Sequence, residues 1–204
     1  MKILCVARNY ALHAAEMNAK APEEPVFFLK PDSAILHDRQ PFFYPDFSNL
    51  VEHEVELVVR IDKVGKCIQP RFASRYYSSV TLGIDFTARD LQRKAKQAGL
   101  PWLLSKGFDG SAALGQFVHL SELSQPVQNL SFSLSRNGEV VQSGNTADML
   151  FSVDQLVSYV SRFMLLRTGD LIFTGTPSGV GPVQIGDILE GSLDGKTILQ
   201  CRIK

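Results

Sequence analysis

The segment Val51-Glu-His-Glu-Val-Glu-Leu-Val-Val-Arg-Ile61 constrains this chain more than any other. It is rich in β-branched residues, alternates apolar with polar at first, and then turns continuously apolar. That is the pattern of a strand whose second half is covered on both faces. Glu54 and Glu56 stand two apart on it, so their side chains leave the same face with bases about 7 Å apart. Two like charges taken out of water are costly unless a cation or a proton compensates them. Asp85 ends the next apolar run, Val80–Ile84, and offers a third oxygen from an adjacent position. Three carboxylates without cysteine or convincing histidine partners suit a hard divalent cation such as magnesium, manganese or calcium better than zinc. The competing reading leaves Glu54 and Glu56 on a solvated strand face. His53 points to the opposite face and reads as structural.

Around this segment the chain reads as α+β with a β-rich core. Strands are expected over 2–7 and Val26–Leu29, a short helix over 10–18, and a packed aromatic loop over 38–49. A helical patch near 71–78 precedes Val80–Ile84, and a helix from Thr87 to Ala98 is stopped by Gly99 and Pro101. Beyond 114, Asn137-Gly138 and Asp194-Gly195 lie between strand-like runs and signal two-residue hairpins. Ser152 and Gln155 form a capping box before a helix whose Val153, Leu156, Val157, Val160 and Met164 share one face. Regular βαβ alternation is missing, which removes a parallel α/β architecture. No repeat, low-complexity tract or linker interrupts 1–204, so one domain is expected.

Other chemistry-bearing residues come in pairs. His13 and Glu16 are three apart on the expected N-terminal helix and fall on one face. A carboxylate that accepts one imidazole N–H leaves the other nitrogen free to take a proton from water, although such pairs are also common on plain surfaces. Arg89 and Gln92 are likewise three apart, as a clamp on a substrate carboxylate or as part of a solvated face of Arg, Lys and Gln. Lys30 and Lys106 each follow an apolar stretch. The loop Thr174-Gly-Thr-Pro-Ser-Gly-Val-Gly181 lacks the ending of a phosphate loop and no helix pattern follows it, so nucleotide binding is rejected there. Either a structural turn or a backbone approach to a small ligand fits it.

Charge narrows the function classes. Lysine plus arginine equals aspartate plus glutamate at 21 each, which argues against nucleic acid or an anionic membrane as partner. Arg8 ends the N-terminal apolar run before a signal-peptide core could form, and no stretch nears the roughly 18 apolar residues of a membrane span. Cys5, Cys67 and Cys201 are an odd, scattered set that fits a reducing cytoplasm.

At these residues the chain resembles the fumarylacetoacetate hydrolase family, particularly its small single-domain acylpyruvate hydrolases and oxaloacetate decarboxylases. The resemblance runs in order through Arg8-Asn-Tyr10 with His13 and Glu16, Phe28-Leu-Lys-Pro31, His53-Glu-Val-Glu-Leu57 and Gly83-Ile-Asp-Phe-Thr-Ala-Arg-Asp90. It continues through Lys106-Gly-Phe-Asp109 and Thr174-Gly-Thr-Pro177 with Gly179-Val-Gly181. The resemblance implies a rolled, mixed β-sheet and a homodimer, with Glu54, Glu56 and Asp85 as ligands of Mg2+ or Mn2+. It further implies His13 and Glu16 as a dyad on a mobile lid within 1–25, Lys106 as a catalytic cation, and Arg8, Lys30, Arg89, Gln92 and Thr176 as substrate contacts. Ala7, Glu52 and Gly107 depart from the family's usual Gly, His and Ser.

The activity so implied is metal-dependent hydrolysis of a C–C bond in a 2,4-diketo acid of the acylpyruvate type. The dyad activates water, and the metal and Lys106 stabilise a pyruvate enolate. Oxaloacetate decarboxylation and hydroxydienedioate isomerisation share that enolate chemistry and stand as alternatives. A non-catalytic, metal-stabilised module that binds a small dicarboxylate is an alternative of another class, against which the dyad and Lys106 argue.

Overall fold

The computed structural model of this chain describes residues 1–12 and 20–204. The strands are β1 (Ile3–Ala7), β2 (Val26–Lys30), β3 (Ile35–Leu36), β4 (Val51–His53), β5 (Val55–Ile61), β6 (Tyr77–Asp85), β7 (Thr87–Ala88) and β8 (Ala112–Leu114). They continue with β9 (Val118–His119), β10 (Ser131–Arg136), β11 (Glu139–Asn145), β12 (Leu171–Phe173), β13 (Gly181–Pro182), β14 (Ile188–Leu193) and β15 (Lys196–Arg202). Three α-helices join them among the described residues: α1 (Arg89–Ala98), α2 (Leu103–Lys106) and α3 (Val153–Phe163).

The central sheet runs β2-β1-β12-β5-β6-β8-β3, with β9 also paired to β6. It is mixed, because β1 pairs β12 and β3 pairs β8 in parallel while the other ladders are antiparallel. Both of its faces are covered. Val55, Leu57, Val59 and Ile61 of β5 point into the larger core, while Val58 joins Ile3, Cys5, Phe173, Ala112 and Leu114 in a smaller one. Double coverage accounts for the run of apolar residues in β5.

Register then decides where the charges go. Glu56 lies opposite Gly83 and Val58 opposite Thr81, and directly opposed residues of a ladder share a face. Glu56 therefore lies on the smaller-core face. Asp85 lies there too, opposite Ala112, as does Lys30 opposite Ile3. Gly83 leaves the space that Phe173 and Val58 fill, since a Cβ there would stand 2.6 and 2.7 Å from their side chains.

The expected strand over 51–61 is two strands. β4 pairs β7 and β13 in a three-stranded sheet, and the chain breaks at Glu54, whose carbonyl accepts the Asp85 N–H at 2.8 Å. The helical patch near 71–78 is a 3-10 helix over Pro70–Tyr76. Both hairpin signals hold. Asn137-Gly138 turns β10 into β11 and Asp194-Gly195 turns β14 into β15, each with two positive φ values. The capping box of Ser152 and Gln155 opens α3, whose Val153, Leu156, Val157 and Val160 are buried. Tyr10, expected to start a helix, forms an isolated antiparallel bridge with Met149. The rest of that expected lid helix, with His13 and Glu16, lies largely outside the described residues.

Candidate metal centre and its cavity

The break at Glu54 turns its side chain toward Glu56 and Asp85, and the three converge. One carboxylate oxygen from each lies within 4.8 Å of the others, and all three residues are buried. Oxygens sharing an octahedral ion at about 2.1 Å stand roughly 3–4 Å apart, so the set fits one hard cation. All-oxygen donors favour magnesium or manganese over zinc.

Each carboxylate is braced differently. Glu56 accepts the Gly175 N–H at 2.7 Å. Gly175 has a φ of 98°, and a Cβ there would stand 2.8 Å from Asn9 Cβ, so the turn takes only glycine. Asn9 in turn donates to the carbonyls of Phe151 and Thr174. The loop considered for ligand contact thus secures a metal-site carboxylate. Glu54 is held by the Arg89 guanidinium and, at 2.8 Å, by Lys106 Nζ. Asp85 lies between two ammonium groups, Lys30 at 2.8 Å and Lys106 at 2.7 Å.

Burial raises the Glu56 carboxyl well above the usual range, and the neighbouring charges of Asp85 and Glu54 raise it further. A divalent ion answers that cost. Burial alone would lower the Lys106 ammonium, but Asp85 and Glu54 outweigh it and hold the group above its ordinary value.

A cavity of about 280 Å³ opens over these carboxylates. Arg8, Arg89, Gln92, Lys106 and Thr176 all line it. Arg89 donates Nε to Glu52 at 2.5 Å and Nη1 to Gln92 at 2.6 Å, so its plane is fixed on three sides. Thr176 donates its hydroxyl to the Val55 carbonyl and accepts from Gln142. Arg8 reaches the cavity from a left-handed backbone with φ of 60°.

Lys30 corrects the expectation of a substrate contact. Its side chain is fully buried and is not among the residues lining the cavity. Its ammonium donates to the carbonyls of Lys106 and Ser111 and to Ser111 Oγ, and pairs with Asp85. It underpins the floor. His53 is buried with Nδ1 2.9 Å from Gln142 Oε1, away from the cavity, as a structural residue would be.

Sequence reasoning missed Glu52 as the partner of Arg89, and also missed the aromatic wall. Phe28 and Trp102 line the cavity with ring centroids 5.8 Å apart, edge to face. It also passed over Lys96, although the helical period from Gln92 places it on the same face of α1.

A family model described as "Fumarylacetoacetate (FAA) hydrolase C-terminal" matches residues 2–204. Oxaloacetate tautomerase YcgM of Escherichia coli K12 is 42% identical over 97% of this chain and 90% of its own length. The mitochondrial oxaloacetate decarboxylase of Dictyostelium discoideum is 43% identical over 95% of this chain and 89% of its own. Among solved structures, the fumarylpyruvate hydrolase of Pseudomonas aeruginosa in complex with Mn2+ and pyruvate superposes with a TM-score of 0.94 at 38% identity. It covers all of this chain and 89% of that one. A Yersinia pestis structure described as a fumarylacetoacetate hydrolase family protein superposes at 0.95 with 44% identity, over 100% and 93% of the two chains. The α+β, β-rich fold with a curled mixed sheet is the one these structures share.

Proposed function

Since this chain belongs to the fumarylacetoacetate hydrolase family, we propose that it hydrolyses a C–C bond in a 2,4-diketo acid with a divalent cation, by way of a pyruvate enolate. The observation that carries this reading is the convergence of Glu54, Glu56 and Asp85 with the buried Lys106 beneath one cavity. A Mn2+ and pyruvate complex of the Pseudomonas aeruginosa relative supports it. Glu54, Glu56 and Asp85 would hold Mg2+ or Mn2+, which supplies Lewis-acid charge to a carboxylate and its neighbouring 2-oxo oxygen.

The chain's own groups do the rest. Water adds across the distal carbonyl, the bond to the methylene carbon breaks, and that carbon leaves with the electron pair as the enolate. A proton then returns to it to give pyruvate and a second carboxylic acid. Lys106 Nζ, already between two carboxylates, donates toward the oxygen on which charge develops. Arg89 and Gln92 orient the 2-oxo carboxylate, with Arg8 and Thr176 at the edges of the cavity. We assign deprotonation of the water to His13 and Glu16 on the strength of their sequence pattern. The oxaloacetate tautomerase of Escherichia coli and the oxaloacetate decarboxylase of Dictyostelium favour a second reading, proton transfer or decarboxylation on oxaloacetate, which needs the same enolate.

A panel of acylpyruvates and oxaloacetate, assayed with product analysis before and after chelation, tests this. Turnover should vanish with chelation and return with manganese or magnesium. Full activity in a preparation shown by elemental analysis to be metal-free would refute it. Oxalate binding without turnover of any acid would point to a non-catalytic binding module.

We further place the enzyme in a reducing compartment such as the cytoplasm, as one catalytic domain over 1–204 that acts as a homodimer on a small-molecule substrate rather than on nucleic acid. Its cysteines are free, and among the described residues no helix is long and apolar enough to cross a membrane.

A further inference from the structure

One face of α1 carries a third residue into the cavity. Arg89, Gln92 and Lys96 follow spacings of three and four, share a side of the helix, and all line the cavity. Arg89 is tied to Glu54 at the carboxylate end. Lys96 stands about 10 Å further along the axis, at 1.5 Å per residue. An aromatic wall fills the interval. Lys96 Nζ lies 5.3 Å from the Trp102 ring centroid, Trp102 packs on Phe28, and Lys106 Nζ lies 5.5 Å from the Phe28 centroid.

Among the described residues no carboxylate forms an ion pair with Lys96 or with Arg8, and Lys96 is exposed to solvent at the mouth. Partial burial, followed by the facing guanidinium groups of Arg89 and Arg8, holds the Lys96 ammonium below its ordinary range. An anion there would relieve this crowding of cations. From floor to mouth the cavity thus offers a site for a chelating 2-oxo carboxylate, a planar apolar wall, and a cation without an ion pair among the described residues.

We propose that Lys96 is a specificity-determining residue that receives the far carboxylate of an elongated 2,4-diketo dicarboxylate, six or seven carbons long, whose conjugated middle lies along Phe28 and Trp102. An extended seven-carbon chain is longer than four-carbon oxaloacetate by about 4 Å at about 1.25 Å per bond, which carries its second carboxylate further along the aromatic wall toward the mouth. A diketo acid that ends in a methyl group leaves the cation unmatched.

This inference rests on the 2,4-diketo acid reading given above, and the experiment separates the two. The wild type, Lys96→Met and Lys96→Arg are compared on a seven-carbon 2,4-diketo dicarboxylate and on acetylpyruvate, with manganese saturating. The ratio of the two kcat/KM values should fall about tenfold in Lys96→Met, mainly through KM for the dicarboxylate, and should recover in Lys96→Arg. Methionine keeps the length of the stem, and the position is exposed, so the variant should fold. A ratio within about twofold of the wild type in Lys96→Met, with both acids turned over, overturns the role of Lys96 and leaves the reading intact. A wild-type enzyme that turns over neither acid overturns the reading and the role of Lys96 together.

Discussion

Lys30→Met separates two jobs that a lysine in this position could have. The Lys30 side chain is fully buried, and its partner Asp85 is 2% exposed. Methionine fills nearly the same volume, so the change removes charge and donors rather than packing. It leaves the Ser111 carbonyl, formerly 3.0 Å from Nζ, without that donor, and leaves Asp85 with Lys106 as its one remaining ion-pair partner among the described residues. Breaking a buried ion pair from one side costs about 3–5 kcal/mol. At 2–4 °C per kcal/mol for a domain of this size, the metal-free melting temperature should fall by roughly 6–20 °C. A divalent ion replaces part of the missing positive charge, so manganese should raise the melting temperature of the variant by more than that of the wild type. Thermal melts of both proteins with and without manganese read both quantities. A substrate contact would behave in the opposite way, with an unchanged melting temperature and a raised KM. A fall below about 2 °C, or equal stabilisation of both proteins by manganese, would refute the assignment of Lys30 to the floor.

Gly83→Ala should destabilise by about 1–3 kcal/mol, because its Cβ would stand 2.6 Å from Phe173 and 2.7 Å from Val58 in a doubly covered sheet. Chemical denaturation measures this, and a midpoint unchanged at constant slope would show that the strands yield. Burial lowers the His53 imidazole from its ordinary value near 6.5, so the unfolded chain takes up the proton first. His53 therefore contributes no pH dependence well above 6.5 and makes the fold less stable as pH drops below that value; melts from pH 8 to pH 5 should show a smaller acid loss in His53→Gln than in the wild type. The homodimer predicts twice the chain mass in light scattering at micromolar concentration, and a monomer mass there would remove it.

How much of this was legible depended on the range of the interaction. Glu54, Glu56 and Asp85 could be grouped from sequence because a period of two and the end of an apolar run are local properties. The break at Glu54 was not visible, since it follows from the pairing of β4 with β7 and of β5 with β6, and from the Asp85 N–H donated back to Glu54. Lys30 was misplaced for the same reason. Its strand was foreseen, but its partner Asp85 lies 55 positions away and is brought alongside by β1, β12, β5 and β6. The four-residue α2, which delivers Lys106, follows Gly99 and Pro101, residues that signal a stop and give no sign of a restart. Lys96 was legible from helical spacing alone. Its neighbours Arg93 and Lys94 are solvent-exposed, and in that company it read as part of a wet face.

Charge explains why these particular residues are found together. Among the described residues around the floor, Glu52, Glu54, Glu56 and Asp85 face three cations, Lys30, Lys106 and Arg89. With these groups ionised, one negative charge remains in a buried place, and Glu56 carries the strain because burial and the charges of Asp85 and Glu54 outweigh the help of Lys106 and the Gly175 N–H. A divalent ion reverses the balance to one positive charge, which the carboxylate of a 2-oxo acid neutralises. Glu52 matters to that balance although it is outside the ligand set, because without it the floor would already be neutral and an ion would have to enter against Arg89 and both lysines. Tying Arg89 on one side to Glu52 and on the other to Glu54 keeps its charge beside the cavity while leaving one carboxylate in excess. The site therefore attracts the cation first and the anionic substrate second, an order that follows from the residues of the floor themselves.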